Sequence, residues 1–270
     1  MKIAIIGGCF ISQHNIPPDK LYHQTAKKLL EREGHQIIIR TIRYERISGT
    51  LNKIKKLRNE FEFDLLIFHL RAEPVLRMSK LYYKFTDDKG AKRNSINTPF
   101  NSPSIPERHD LLSAERIDLE DNRKPDTRLH HILREMNYYC GTIAGNRQNA
   151  LKQYLELTKD VVKFCHDANS KLILMGPASR PFSHFENDLS KRIDRQFSKF
   201  ARDERISYLK LLGYTTSTKE PMFFPNGIHV SQAGHDETGH RLCKLILDDF
   251  SLEAVSNKVS QQISSSESKQ

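Results

Sequence analysis

The feature that most constrains this chain is an alternation in its first seventy residues. Short apolar runs at 2–6, 36–42 and 63–70 are separated by two stretches in which apolar residues recur at helical spacing. The first run ends in Gly7-Gly8, as a buried strand does before a tight turn. The second is β-branched, and the third is continuously apolar, as a strand covered on both faces must be. Strand, helix and strand repeated at this spacing predict a parallel sheet with right-handed crossovers. Asp19 is expected to cap the first helix, which runs to Gly34.

Further along, helices are expected at 127–139, 146–168 and 187–201, and strands at 171–175 and 206–209. A last helix should begin after Ser231, carrying Leu242, Leu245, Ile246 and Phe250. The segment 87–125, rich in Asn, Ser, Pro and charge, reads as a long insertion. Residues 251–270 are Ser-, Gln- and Lys-rich and read as a disordered tail. The prediction is one α/β domain over 1–250, a three-layer flavodoxin-like sandwich around about five parallel strands.

Composition narrows the function classes. Neither a membrane-spanning run nor a signal peptide is visible, so a cytoplasmic protein is expected. The cysteines, Cys9, Cys140, Cys165 and Cys243, show no CxxC pair or zinc-like spacing, and no metal or cofactor is expected. Three of them read as apolar filler. The formal charge of +10 is spread along the chain without an aromatic-interleaved basic motif. That disfavours nucleic acid as partner and leaves room for an anionic small molecule. The oligomeric state is not legible.

In an open parallel sheet, ligands bind beyond the carboxyl ends of the strands. The segments to inspect are therefore Gly7-Gly8-Cys9, Ser48-Gly49, Leu70-Arg71, Gly176-Pro177 and the loop 226–229. There the chain resembles the SGNH (GDSL-like) hydrolases. The run Pro225-Asn226-Gly227-Ile228-His229, followed by Gly234-His235, is similar to their last block, in which a histidine is the base and an aspartate three residues earlier orients it. Gly7-Gly8-Cys9 stands where the family has Gly-Asp-Ser, similar to its Gly-Ser-Cys-Phe-Ala variants. Gly49 matches the backbone-donating glycine after strand two. Leu70-Arg71-Ala72-Glu73 departs from the Gly-x-Asn-Asp block, so the side-chain amide of the oxyanion hole is missing.

The resemblance implies acyl chemistry on an ester or thioester, with Cys9 as nucleophile, His229 as base and Asn226 as orienting residue. The two departures agree with each other, because a Cys–His pair works with a neutral asparagine. A cysteine after a sharp turn near a helix start has a lowered thiol pKa. Gly8 shapes the turn, and amides at Cys9 and Gly49 would hold the oxyanion. Arg71 would replace the lost amide or bind a substrate anion; the plainer reading is a salt bridge to Glu73. Cys9 also reads as a small packed residue, Gly49 as a positive-φ turn, and His69 as a satisfied core histidine. Ser12 is the rival nucleophile.

Two other functions remain open. Gly7-Gly8-Cys9-Phe10 followed by His14 resembles the Gly-Gly-x-Phe-x-Pro-x-His start of ATP-binding adenylyltransferases, although Ser12 and Pro17 replace two of its residues. The third reading is a binding module on a degenerate SGNH fold.

Overall fold

The computed structural model describes residues 1–13, 16–44, 46–76, 147–181, 184–211, 213, 215–225 and 229–267, together with isolated helical positions at 132, 135, 136 and 139. The expected insertion at 87–125 lies outside them, as do Asn226 and His14.

Five parallel strands form one sheet: β1 (Lys2–Gly7), β2 (Ile38–Arg43), β3 (Leu65–His69), β4 (Lys171–Met175) and β5 (Ser207–Leu209). Their order is β2-β1-β3-β4-β5, the flavodoxin-like arrangement. The helices are α1 (Tyr22–Arg32), α2 (Thr50–Glu60), a single turn α3 (Glu73–Leu76), α4 (Arg147–Asp167), α5 (His184–Asp203) and α6 (Gln232–Glu267).

The period-two alternation of the strands divides the core into two layers. Ile3, Ile5, Leu65, Ile67, Ile173 and Met175 face α1 and α6, where Tyr22, Leu30, Leu242 and Ile246 cover them. Ala4, Ile6, Leu66, Phe68 and Leu174 face α2, α4 and α5, under Ile54, Tyr154, Val161 and Phe197. Cys165 and Cys243 are buried free thiols, one in each layer. Burial pushes the Cys165 thiol up to about 12.

The first helix differs from expectation at its start. Asp19 belongs to a separate 3-10 turn, Pro18–Lys20, and α1 begins at Tyr22 with no capping side chain of its own. Its first amide is satisfied from the far end of the chain: Tyr22 N donates to His235 Nδ1 at 3.1 Å. At the other terminus, α6 continues through Glu267, past the boundary expected at 251. Helical backbone needs only its own i to i−4 bonds, whereas low apolar content speaks to packing.

Candidate active site at the carboxyl ends of β1, β3 and β4

Gly7, His69 and Gly176 sit at or just past the ends of three adjacent strands. After Gly7 the backbone turns at once into the 3-10 segment Cys9–Ile11, closed by Ile11 N donating to Gly8 O at 3.2 Å. At Gly8 a side chain would displace Arg71. A Cβ on it would lie 2.0 Å from Cζ of Arg71, because the guanidinium rests against this turn. Cys9 therefore opens a tight turn beside a buried cation.

Arg71 is held from several sides. Its backbone N–H donates to the Tyr154 hydroxyl at 2.9 Å, and Nη1 donates to Tyr44 O at 2.6 Å. The guanidinium lies over the Tyr44 ring, and Nε pairs with Glu73 Oε2 at 3.2 Å. The charge chain continues, since Arg180 bonds the other oxygen of Glu73 at 2.6 Å and reaches Glu186 at 3.2 Å. Arg71 thus has the salt-bridge partner of the plainer reading while also lying against the Gly8 turn.

The two ends of the chain meet through Gln13. Its side-chain amide brackets one residue of the C-terminal loop: Nε2 donates to Val230 O at 2.6 Å, and Val230 N donates to Oε1 at 3.0 Å. Gln13 supplies Val230 with the donor and acceptor that a neighbouring strand would offer. Val230 also bridges Phe223 in antiparallel fashion, and Phe224 N donates to His229 O at 2.9 Å. His229, half-buried, is therefore fixed at the backbone by an anchor only four residues past Cys9. The sequence carries no local sign of the Gln13 contact; only the convergence of both segments on one rim points to it.

Phe10 is the apolar centre of the site, with ring centroids 4.8 Å from Tyr22, 5.4 Å from His69 and 4.9 Å from His235. His69 does not fit the expectation of a satisfied core residue. It is 4% exposed, and its Nδ1 has no hydrogen-bond partner. Burial, helped by the Arg71 cation, lowers its pKa to about 3. Burial likewise lowers His235 to about 3 and His23 to about 4.

Ser12 is buried and its Oγ makes no hydrogen bond, so the nucleophile–base contact that would activate it is missing. Gly49 has φ +80° and caps α2, as the turn reading requires. It is exposed, in an open groove with Ile47, Asn52, Asn149 and Lys152.

A cavity of about 40 Å³ lies beside this assembly, lined by Phe10, His69, Arg71, Ala178 and Ser190 among others. A larger groove, about 840 Å³, lies at the opposite, amino ends of the strands around Met1, Gln36 and Asp64. In an open parallel sheet the carboxyl ends carry the ligand, so the smaller cavity is the relevant one.

No protein-family model matches the sequence, and no curated protein matches it either. Solved structures do match the fold. A putative lipolytic protein of the G-D-S-L family from Desulfitobacterium hafniense aligns with TM-score 0.53 and 9% identity, over 90% of this chain and 98% of that one. The psychrotrophic esterase EstA from Pseudoalteromonas sp., in a structure inhibited by monoethylphosphonate, aligns with TM-score 0.54 and 11% identity, over 93% and 98%. An acetyl xylan esterase aligns with TM-score 0.52 and 11% identity, over 90% and 98%. The chain has the SGNH hydrolase fold, that of the GDSL lipolytic enzymes it resembles. Among the described residues no helix is long and apolar enough to cross a membrane.

Proposed function

We propose that this protein is an SGNH-type hydrolase or acyltransferase for a small acyl ester or thioester, with Cys9 as nucleophile, His229 as base and Asn226 as orienting residue. The observation that carries this reading is the Gln13–Val230 bracket, which ties the backbone next to His229 to the turn that begins at Cys9. The fold shared with esterases supports it.

In this scheme His229 takes the thiol proton, and Sγ attacks the carbonyl carbon. The tetrahedral oxyanion is held by the amides of Cys9 and Gly49 and by the guanidinium that Gly8 admits beside them. The C–O or C–S bond to the leaving group breaks, and the leaving group takes the proton from His229. The acyl-Cys9 thioester is then attacked by water or an alcohol, whose proton passes to His229, and the thiol is regenerated. Arg71 serves here as an already paired, positioned donor rather than as a docking charge for an anionic substrate.

The test is acyl labelling with short-chain p-nitrophenyl esters and thioesters. A burst equal to one acyl group per chain, carried on Cys9 and abolished in Cys9→Ala, is expected. Full turnover by Cys9→Ala overturns the assignment. Loss of neither the burst nor alkylation by iodoacetamide in His229→Ala would remove the base.

A further inference from the structure

We infer that Tyr44 and Tyr154 are positioning residues for Arg71: their buried hydroxyls clasp the exit of β3 and hold the guanidinium against the Gly8 turn. The consequence for catalysis rests on the acyl-transfer reading above, in which that cation helps to hold the oxyanion.

The direction of each bond follows from counting protons. Tyr44 Oη donates its single proton to His69 O at 2.7 Å. It can therefore only accept from the Tyr154 hydroxyl, to which it is also bonded. The Tyr154 oxygen in turn accepts from Arg71 N–H at 2.9 Å. The chain runs one way, from Arg71 N–H through Tyr154 and Tyr44 to His69 O. Its two ends lie on either side of Leu70, whose own N donates to Met175 O of β4 at 2.7 Å. His69, Leu70 and Arg71 are thus each fixed at the backbone by a different partner: Tyr44 after β2, Met175 in β4 and Tyr154 in α4.

Tyr44 joins this clasp to the turn. Its backbone N donates to Gly7 O at 2.9 Å, and its carbonyl accepts from Arg71 Nη1 at 2.6 Å. Its ring lies under the guanidinium, with Cζ of Arg71 5.6 Å from the centroid. One residue therefore fixes the Gly7–Gly8 backbone and the cation relative to each other.

Packing alone would not call for the hydroxyls. The two rings lie among Phe68 and Phe197, and phenylalanine would fill the same space. A buried hydroxyl is costly unless it is bonded, and here each donates once and accepts once. Burial raises both phenols above their ordinary pKa, so the pair holds its geometry without titrating.

The test is a double-mutant cycle on turnover of a p-nitrophenyl ester by the full-length protein. Tyr154→Phe removes one atom and keeps the ring. Its kcat should fall by about 10- to 100-fold with KM changing less, the scale of a group misplaced rather than removed. In an Arg71→Ala background the same substitution should leave kcat within about twofold, because the group it acts through is gone. An equal fold loss in both backgrounds overturns the inference. Phe197→Leu loosens the packing on Tyr154 without touching a hydroxyl; it should lower the urea midpoint and keep kcat within about twofold. A kcat loss in Phe197→Leu matching that of Tyr154→Phe also overturns the inference. If Tyr154→Phe proves unstable, Tyr44→Phe takes its place, since it breaks the same chain at the other end. If no ester turns over, or Arg71→Ala does not fold, the NMR signal of Arg71 Nε–H decides, assigned by its absence in Arg71→Lys. Its exchange with water should quicken by at least about tenfold in Tyr154→Phe. Unchanged exchange overturns the clasp, whereas absent turnover with quickened exchange upholds the clasp and sinks the reaction class.

Discussion

Gln13 and Val230 lie 217 residues apart in sequence, yet they pair like neighbours in a sheet, through one donated and one accepted hydrogen bond. Both bonds are buried, and both use the backbone groups of Val230 that its antiparallel bridge to Phe223 leaves over. Gln13→Ala strands an N–H and a C=O, at roughly 1–3 kcal/mol each when desolvated. The expected outcome is a loss of about 2–4 kcal/mol in urea unfolding. Gln13→Glu keeps the acceptor for Val230 N but gives up the donor, and should fall between. Because the bracket adjoins His229, turnover should drop in both variants with kcat falling more than KM rises.

A second expectation concerns the turn that Arg71 occupies. Gly8→Ala places a methyl 2.0 Å from Arg71 Cζ, so the guanidinium must leave its seat between Tyr44 O and Glu73. Overpacking of this kind costs about 1–3 kcal/mol. Once Arg71 is truncated the methyl has room, so the Gly8→Ala/Arg71→Ala pair should be less destabilised than the sum of the two single variants. Additive behaviour in calorimetry would mean the two residues do not meet as described.

Glu73 bridges two arginines, and its removal leaves two cations without their shared partner. Breaking a fully buried pair from one side costs on the order of 3–5 kcal/mol, and Glu73, half-buried beside the buried Arg71, should come somewhat below that. Glu73→Gln should therefore destabilise far more than Glu156→Gln, whose pair with Lys159 is exposed and worth about 0–1 kcal/mol. Thermal midpoints of the two variants measured side by side check this.

Acid should unfold this protein early. His23, His69 and His235 are held neutral in the fold, with pKa values lowered from 6.5 to about 4, 3 and 3, chiefly by burial. Below pH 6.5 the unfolded chain binds protons that the folded one refuses, so stability is full above that value and is lost as pH falls toward 4. At pH 5 each histidine accounts for about 2 kcal/mol of that loss. Urea midpoints at pH 7.5, 6 and 5 should fall steadily, and the decline should be shallower in His23→Gln.

Much of this architecture is legible in the sequence because it rests on periodicity. The run at 171–175 is observed as β4 without change, and the last helix starts at Gln232, right after Ser231. The two faces of the sheet follow from alternation along Ile3–Ala4–Ile5–Ile6. What failed was local reasoning about a non-local event. Asp19 has the right chemistry to cap α1, but His235 does it from the other end of the chain, and no window of neighbouring residues contains that information. The candidate site is legible to the same degree: the rim is found from strand ends and the fold's resemblance, whereas Gln13 and His69 gain their meaning only once the tertiary contacts exist. Arg71 is an intermediate case. Its salt bridge to Glu73 is readable from two positions' separation, but its seat against Gly8 is not.

The imidazole that completes the start of α1 also bears on how the chain acquires its shape. A nascent polypeptide has the opening strand, the first helix and most of the sheet available long before position 235 leaves the ribosome. Until then the amide of Tyr22 has no acceptor, and the layer formed by α1 has no second helix beside it. Amino-terminal fragments should accordingly be poor autonomous folders, and synthesis would need to near completion before the molecule locks. Such long-range closure favours slow, all-or-none maturation over stepwise assembly during translation.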